Sequence, residues 1–159
     1  MTAHLRPGWA AALCALATAG ALAQTQPPRV DFRTALPGVQ WDSRAVVRAD
    51  FNGDGRLDLA LLGDQDGAVV LVVGIRQPGQ AGLRVQALRF RVDPDAQDGV
   101  CRRPVTLRAA RPVCTLENGR LDGCDARRSK AGLRLSDETC DAIHLYWNFQ
   151  TDQMAWWRH

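Results

Sequence analysis

ADFNGDGRLDLALLGDQDGAVVLVVGI, residues 49–75, sets an acidic, glycine-bearing loop against two apolar runs. In the first run Leu57, Leu59 and Leu61 alternate with Asp58, Ala60 and Leu62. That is the period-two pattern of a strand with one face inward, and the leucines are the expected inward set. Residues 63–67, GDQDG, are turn formers, and AVVLVVGI at 68–75 is apolar throughout. A short apolar run bounded by turn residues predicts a central strand covered on both faces. Strand, turn and strand in succession place the chain among antiparallel β proteins.

The pattern extends outward in both directions. AVVR at 45–48 reads as a first strand, and residues 83–92 as a further one. In the latter the apolar frame slips from Leu83, Val85 and Ala87 to Leu88, Phe90 and Val92, which predicts a β-bulge near Ala87. Residues 93–130 are loop-rich and punctuated by Pro94, Pro104 and Pro112. Leu133 and Leu135 begin another strand, residues 136–138 turn it, and Ile143, Leu145, Trp147 and Phe149 alternate along the next. A turn at Thr151-Asp152 leads to a last segment at 154–159. No segment of useful length has a helical period, so the expected fold is a mostly β, small antiparallel domain over residues 41–159.

Asp50, Asn52, Asp54 and Asp58 put side-chain oxygens at positions 1, 3, 5 and 9 of the acidic loop, with the carbonyl of Arg56 available at position 7. Calcium takes ~6–8 hard oxygens at ~2.3–2.6 Å, and ligands at alternate positions wrap around one point while Gly55 permits the sharp turn. Crowded carboxylates repel one another until a divalent cation neutralises them. Magnesium, which demands a rigid octahedron, suits the spacing less well. A metal-free Asn-Gly turn accounts for Asn52-Gly53 but does not ask for acids at alternate positions. Calcium is the expected ion.

An EF-hand would carry glutamate at position 12, where this chain has Leu61, and would flank its loop with helices. A calcium loop between strands instead resembles the FG-GAP and VCBS repeats, the β-propeller repeats of integrin α-chains and many exported bacterial proteins. ADFNGDGRLDLAL is close to a consensus unit of that family. The resemblance covers about residues 46–75 and implies Asp50, Asn52, Asp54, Arg56 and Asp58 as ligands between two strands of a blade. A propeller needs at least ~4 four-stranded blades. This chain has one intact unit, and ENGRLD at 117–122 echoes it without the ligand ladder. The expectation is a single FG-GAP-like calcium hairpin in a small β domain, not a full propeller.

The amino-terminal segment MTAHLRPGWAAALCALATAGALA reads as an export signal over residues 1–23: Arg6, then an alanine-rich apolar run, then Ala21-Leu22-Ala23 before the cut. It is too short to span a bilayer. Leu13 before Cys14 departs from a lipobox. Removing these 23 of 159 residues leaves 136, enough for one core. Residues 24–40 read as an extended, proline-bearing leader. The expected location is the periplasm or the exterior.

Four cysteines remain after the signal: Cys101, Cys114, Cys124 and Cys140. An even number in an exported chain predicts disulfides that order the apolar-poor 93–130 region. Zinc is the alternative, but no Cys-x-x-Cys pair is present. Order alone leaves three pairings open. The nested one, Cys101 with Cys140 and Cys114 with Cys124, is the expectation to be tested.

Nineteen of the 20 basic residues are arginine. This bias follows from codon composition and does not indicate nucleic acid. Rings gather near the end of the chain, where Trp147 shares the strand face of Ile143 and Leu145 and is expected in the core. His144, Tyr146, Trp156 and Trp157 are candidates for a ligand surface, since aromatic platforms bind sugars and peptides. His144 is expected on the exposed face. Neither a Gly-x-Ser-x-Gly elbow nor a His-Glu-x-x-His helix occurs, and nothing selects a catalytic carboxylate pair. The expected function is therefore a non-catalytic, calcium-binding interaction module for a protein or carbohydrate. The alternatives are a small hydrolase with its site in the 93–130 loops and a periplasmic enzyme inhibitor.

Overall fold

The structure, a computed structural model, describes residues 32–80 and 82–159. The expected signal at 1–23 and the leader up to residue 31 lie outside the described residues. The fold is mostly β. A first sheet follows chain order as β1 (Gln40–Ala49), β2 (Asp58–Gln65), β3 (Ala68–Arg76), β4 (Leu83–Val92) and a short β5 (Gly99–Val100), with only the β4–β5 pair parallel. After β6 (Thr106–Ala110) comes a small hairpin of β7 (Thr115–Leu116) and β8 (Gly119–Arg120). The chain then adds β9 (Gly132–Ser136), β10 (Ile143–Asn148) and β11 (Gln153–Trp157), completing a second antiparallel sheet in the order β11-β10-β9-β6.

One core joins the two sheets. Ala60, Leu62, Val69, Leu71, Val73, Ile75 and Phe90 of the first cluster with Leu107, Leu133, Leu135, Ile143, Leu145, Trp147 and Met154 of the second. β3 is apolar on both sides because both sides are covered. Val70 and Val72 point away from this core yet are buried. That outer face carries the end of the leader: Cβ atoms added at Gly63 and Gly74 would meet Trp41 at 2.8 Å and Phe32 at 3.4 Å. Phe32 and Trp41 themselves touch, with ring centroids 6.0 Å apart. Phe32–Ala35 forms one helical turn, α1, where an extended leader was expected; burying Phe32 against the sheet is what shapes it.

Three local expectations are corrected. Asp58, Ala60 and Leu62, not Leu57, Leu59 and Leu61, form the inward face of β2, and Leu57 is 62% exposed. The buried Asp58 carboxylate accepts the N–H groups of Phe51 (3.0 Å) and Arg76 (2.8 Å), which fixes the even positions inward. The turn predicted at 63–67 contracts to Asp66-Gly67, with φ of 50° and 79°. Two left-handed residues make a hairpin connection whose twist matches its strands, so β2 and β3 pair out to Gln65 and Ala68. No bulge interrupts β4, which pairs with β3 continuously from Val69 with Phe90 to Arg76 with Leu83. The apolar frame slips there because Leu83 and Val85 face the leader side while Leu88 and Phe90 face the core. The irregularity lies in β1, between Trp41 and Val46.

The cysteines form the nested pairs Cys101–Cys140 and Cys114–Cys124. Beside the first, Asp137 is only 5% exposed. It accepts four backbone N–H groups, those of Cys101, Arg102 (3.3 Å), Thr139 (2.8 Å) and Cys140 (2.9 Å), tying both ends of the bridge to one carboxylate. Burial opposes its ionisation, but the N–H groups of Cys140, Thr139, Cys101 and Arg102 together hold its pKa below the ordinary 3.8. The stability linked to a depressed carboxyl is fully present above its unfolded value and is lost as pH falls through the folded one. Asp137→Ala is expected to cost about 2–3 kcal/mol at pH 7, since it strands several donors. In urea melts the difference between parent and variant should begin to shrink below about pH 4, the unfolded-state value, and go on shrinking as pH falls through the lower folded one.

A second cross-sheet fastening lies at the other end. The Gln86 side-chain amide accepts the N–H of Met154 (2.8 Å) and donates to its carbonyl (3.0 Å), as a neighbouring strand would. Arg84 reaches the carbonyl of Asp152 at 2.7 Å and lies 5.4 Å from the Trp147 ring centroid.

Candidate metal site

The acidic loop leaves β1 at Asp50 and returns to the sheet at Asp58, with Phe51 between them fully buried as an anchor. Its polar side chains organise the loop backbone. Asp50 accepts N–H groups from Gly53 (2.7 Å), Asp54 (3.1 Å) and Gly55 (2.9 Å). Asn52 accepts from Asp54 (3.1 Å), Asp54 accepts from Arg56 (2.9 Å), and the Asn52 amide donates to Asp54 (3.3 Å). The loop is therefore coiled around Asp50, with Asp54, Gly55 and Arg56 at the surface.

Asp58 closes the site from below. Burial is the main force on its carboxyl, which is raised to about 6, against the lowering effect of the Arg76 and Phe51 N–H groups; the charges of Asp54 and Asp50 push it further up. The buried carboxyl thus feels the two other acids of the loop. Among the described residues no three acidic, histidine or cysteine side chains converge tightly enough to hold an ion as they stand. The donor set is nonetheless oxygen only: Oδ1 of Asp50 is saturated by two N–H groups, but its Oδ2 and both oxygens of Asp58 each accept one and keep lone-pair capacity. Asp54 is exposed and Asn52 partly so.

Two glycines carry the loop, for different reasons. Gly55 has φ of 83° and open space where a Cβ would go. Gly53 has φ of 74°, and a Cβ there would sit 2.1 Å from the carbonyl oxygen of Arg128. Gly55→Ala should cost about 1 kcal/mol of backbone strain. Gly53→Ala should cost clearly more, about 2 kcal/mol or above, because a backbone must also move. Thermal melts of the two variants in chelator measure the difference.

Sequence reasoning missed what lies beneath the loop. Ser129 is buried and donates its hydroxyl to the Phe51 carbonyl at 2.7 Å, across 78 residues of chain. Arg128 stacks over Phe149 at 3.9 Å from the ring centroid. The cysteine-bearing segment thus props the acidic loop, and no local pattern in the sequence marks Arg128 or Ser129 for that role.

The aromatic candidates are largely occupied by packing. Trp156 meets Phe90 edge-on at 6.1 Å and packs on the main core. Trp157 and Tyr146 are buried in a second cluster with Cys114 and Cys124, and Tyr146 donates its hydroxyl to the Asp122 carbonyl at 3.2 Å. His144, expected at the surface, is half-buried and stacks on Trp157 at 4.5 Å and 11°. Elsewhere a cleft of about 380 Å³ lies between β2 and the start of β6, floored by Leu62, Val69 and Val105. At its rim Arg103 bridges to Asp64 at 2.6 Å. Among the described residues no helix is long and apolar enough to cross a membrane. Compared with family models, curated proteins and solved structures, the chain matches none.

Proposed function

We propose that this chain is an exported, calcium-stabilised β domain that acts as a non-catalytic binding module for a protein or carbohydrate, with one FG-GAP-like loop as its metal site. The observation that carries the reading is the buried Asp58 carboxyl, raised to about 6 at the foot of a loop that also holds Asp50 and Asp54. A buried carboxylate with two more carboxylates on the loop above it is costly to ionise without a counter-charge. Asp50, Asn52, Asp54, Asp58 and the Arg56 carbonyl would hold the ion, which supplies charge neutralisation and a clamp between β1 and β2. The two disulfides are compatible with an oxidising compartment.

For this loop a dissociation constant between ~10 μM and ~1 mM is expected, from the weak end of sensor sites to extracellular modules. At ~1 mM free calcium, mass action then adds ~0.4–2.7 kcal/mol to stability. The protein should stay folded in chelator and melt a few degrees higher in calcium. Asp54→Ala should erase that difference. Asp66→Ala, at a left-handed turn position, should lower both melts alike through strain and leave the difference intact. Coincident parent melts with and without calcium, together with no calorimetric heat at millimolar calcium, would refute the metal site.

A further inference from the structure

The second sheet carries a row of cationic and aromatic groups on the side away from the core. In register, Arg108 of β6 faces Arg134 of β9, Arg134 faces His144 of β10, and His144 faces Trp157 of β11. Direct cross-strand partners share a face, and adjacent strands are ~4.8 Å apart. The two arginines are exposed and, alone among the groups of this row, have no hydrogen-bond or ion-pair partner among the described residues. On the first sheet, apart from the unpartnered Arg48, the arginines of β3 and β4 are engaged. Arg76, Arg84, Arg89 and Arg91 each bond to a carbonyl, an amide or a carboxylate.

Like charges directly opposite on adjacent strands destabilise a sheet, and among the described residues no carboxylate pairs with either arginine to offset the repulsion. We propose that this face binds a tetrahedral oxyanion, phosphate or sulfate, free or as an ester, between the guanidinium groups of Arg108 and Arg134 with His144 as a third donor. Guanidinium forks match such oxyanions in charge and geometry. The third donor is held in place, because His144 is clamped by its stack on Trp157 and Trp157 is fixed in the cluster around Cys114 and Cys124. The groups acting on the imidazole agree with this chemistry. Burial, Arg134 and His159 push its pKa down, so an anion beside it reverses two of the three effects.

The test is calorimetric titration of the full mature chain with inorganic phosphate, in chloride at matched ionic strength, alongside an NMR titration of the His144 imidazole. Saturable heat is expected, with a His144 midpoint that moves up in phosphate. Apparent affinity should fall about tenfold for Arg134→Gln and further for the double variant with Arg108→Gln, since a charged hydrogen bond is worth ~1.5–3 kcal/mol. Arg48→Gln, an exposed and unpartnered arginine on the other sheet, should change nothing. All these positions are at the surface, so folding survives the substitutions. Parallel titrations with sulfate and glycerol phosphate separate the sources: tighter binding of the monoester assigns the site to an ester group, and equal binding to the free ion. Phosphate behaving like chloride in the parent, or the double variant binding like the parent, would overturn the proposal.

Discussion

Trp147→Ala is expected to cost about 3–5 kcal/mol, enough to unfold much of the population at physiological temperature. The indole is 2% exposed and sits in the shared core of both sheets, beneath the Arg84 guanidinium. Deleting it leaves a cavity bounded by β-strands that cannot collapse without losing their register. His144→Ala, on the same strand but facing outward, should cost only about 1 kcal/mol, the scale of a lost aromatic stack. Urea unfolding of the two variants separates these outcomes, and a Trp147→Ala protein of near-parent stability would contradict the packing described.

The second large effect concerns the disulfides. Replacing Cys101 and Cys140 together by serine removes a link across 39 residues. In the chain-entropy account that should cost about 4 kcal/mol, against about 3 kcal/mol for the Cys114–Cys124 bridge, which spans 10. The longer bridge also holds the backbone donors that surround Asp137, so its loss should weaken that carboxylate anchor as well. Under denaturing conditions without reductant the mature parent should show no titratable thiol. Two variants equally stable with the parent would mean that 93–130 is ordered by packing alone.

Legibility from sequence followed the range of the interaction. β3, β10 and the inward face of Ile143, Leu145 and Trp147 were readable because period-two alternation is local. The side of β2 was misjudged because the deciding contacts, from Phe51 and Arg76 N–H to the Asp58 carboxylate, span 7 and 18 residues. Hydrophobicity counts Asp58 as outward, and only its two donors reverse that. The helical turn at Phe32 is not legible in the extended leader because Phe32, like Trp41 in β1, gains its place from Gly74 and Gly63, whose missing side chains make room on the sheet. The same limit applies to the candidate metal site. Its oxygen ladder is contiguous in sequence and could be seen at once, whereas the Ser129 hydroxyl beneath it comes from 78 residues away. The disulfide pairing lay between these cases: the cysteines were visible, and their partners were set by the two-sheet topology.

The side chain that completes the edge of β11 bears on how copies of this domain behave at high concentration. A bare outer strand is a template on which another chain can add itself, and repetition of that step builds fibres. Gln86 spends its amide on Met154, so the N–H and carbonyl that a newcomer would need at that residue are already taken. Crowding should therefore drive self-association through some other border of the molecule first. Gln86→Ala would reopen this one, making slow aggregation under agitation, with little change in the initial fold, the trait to look for.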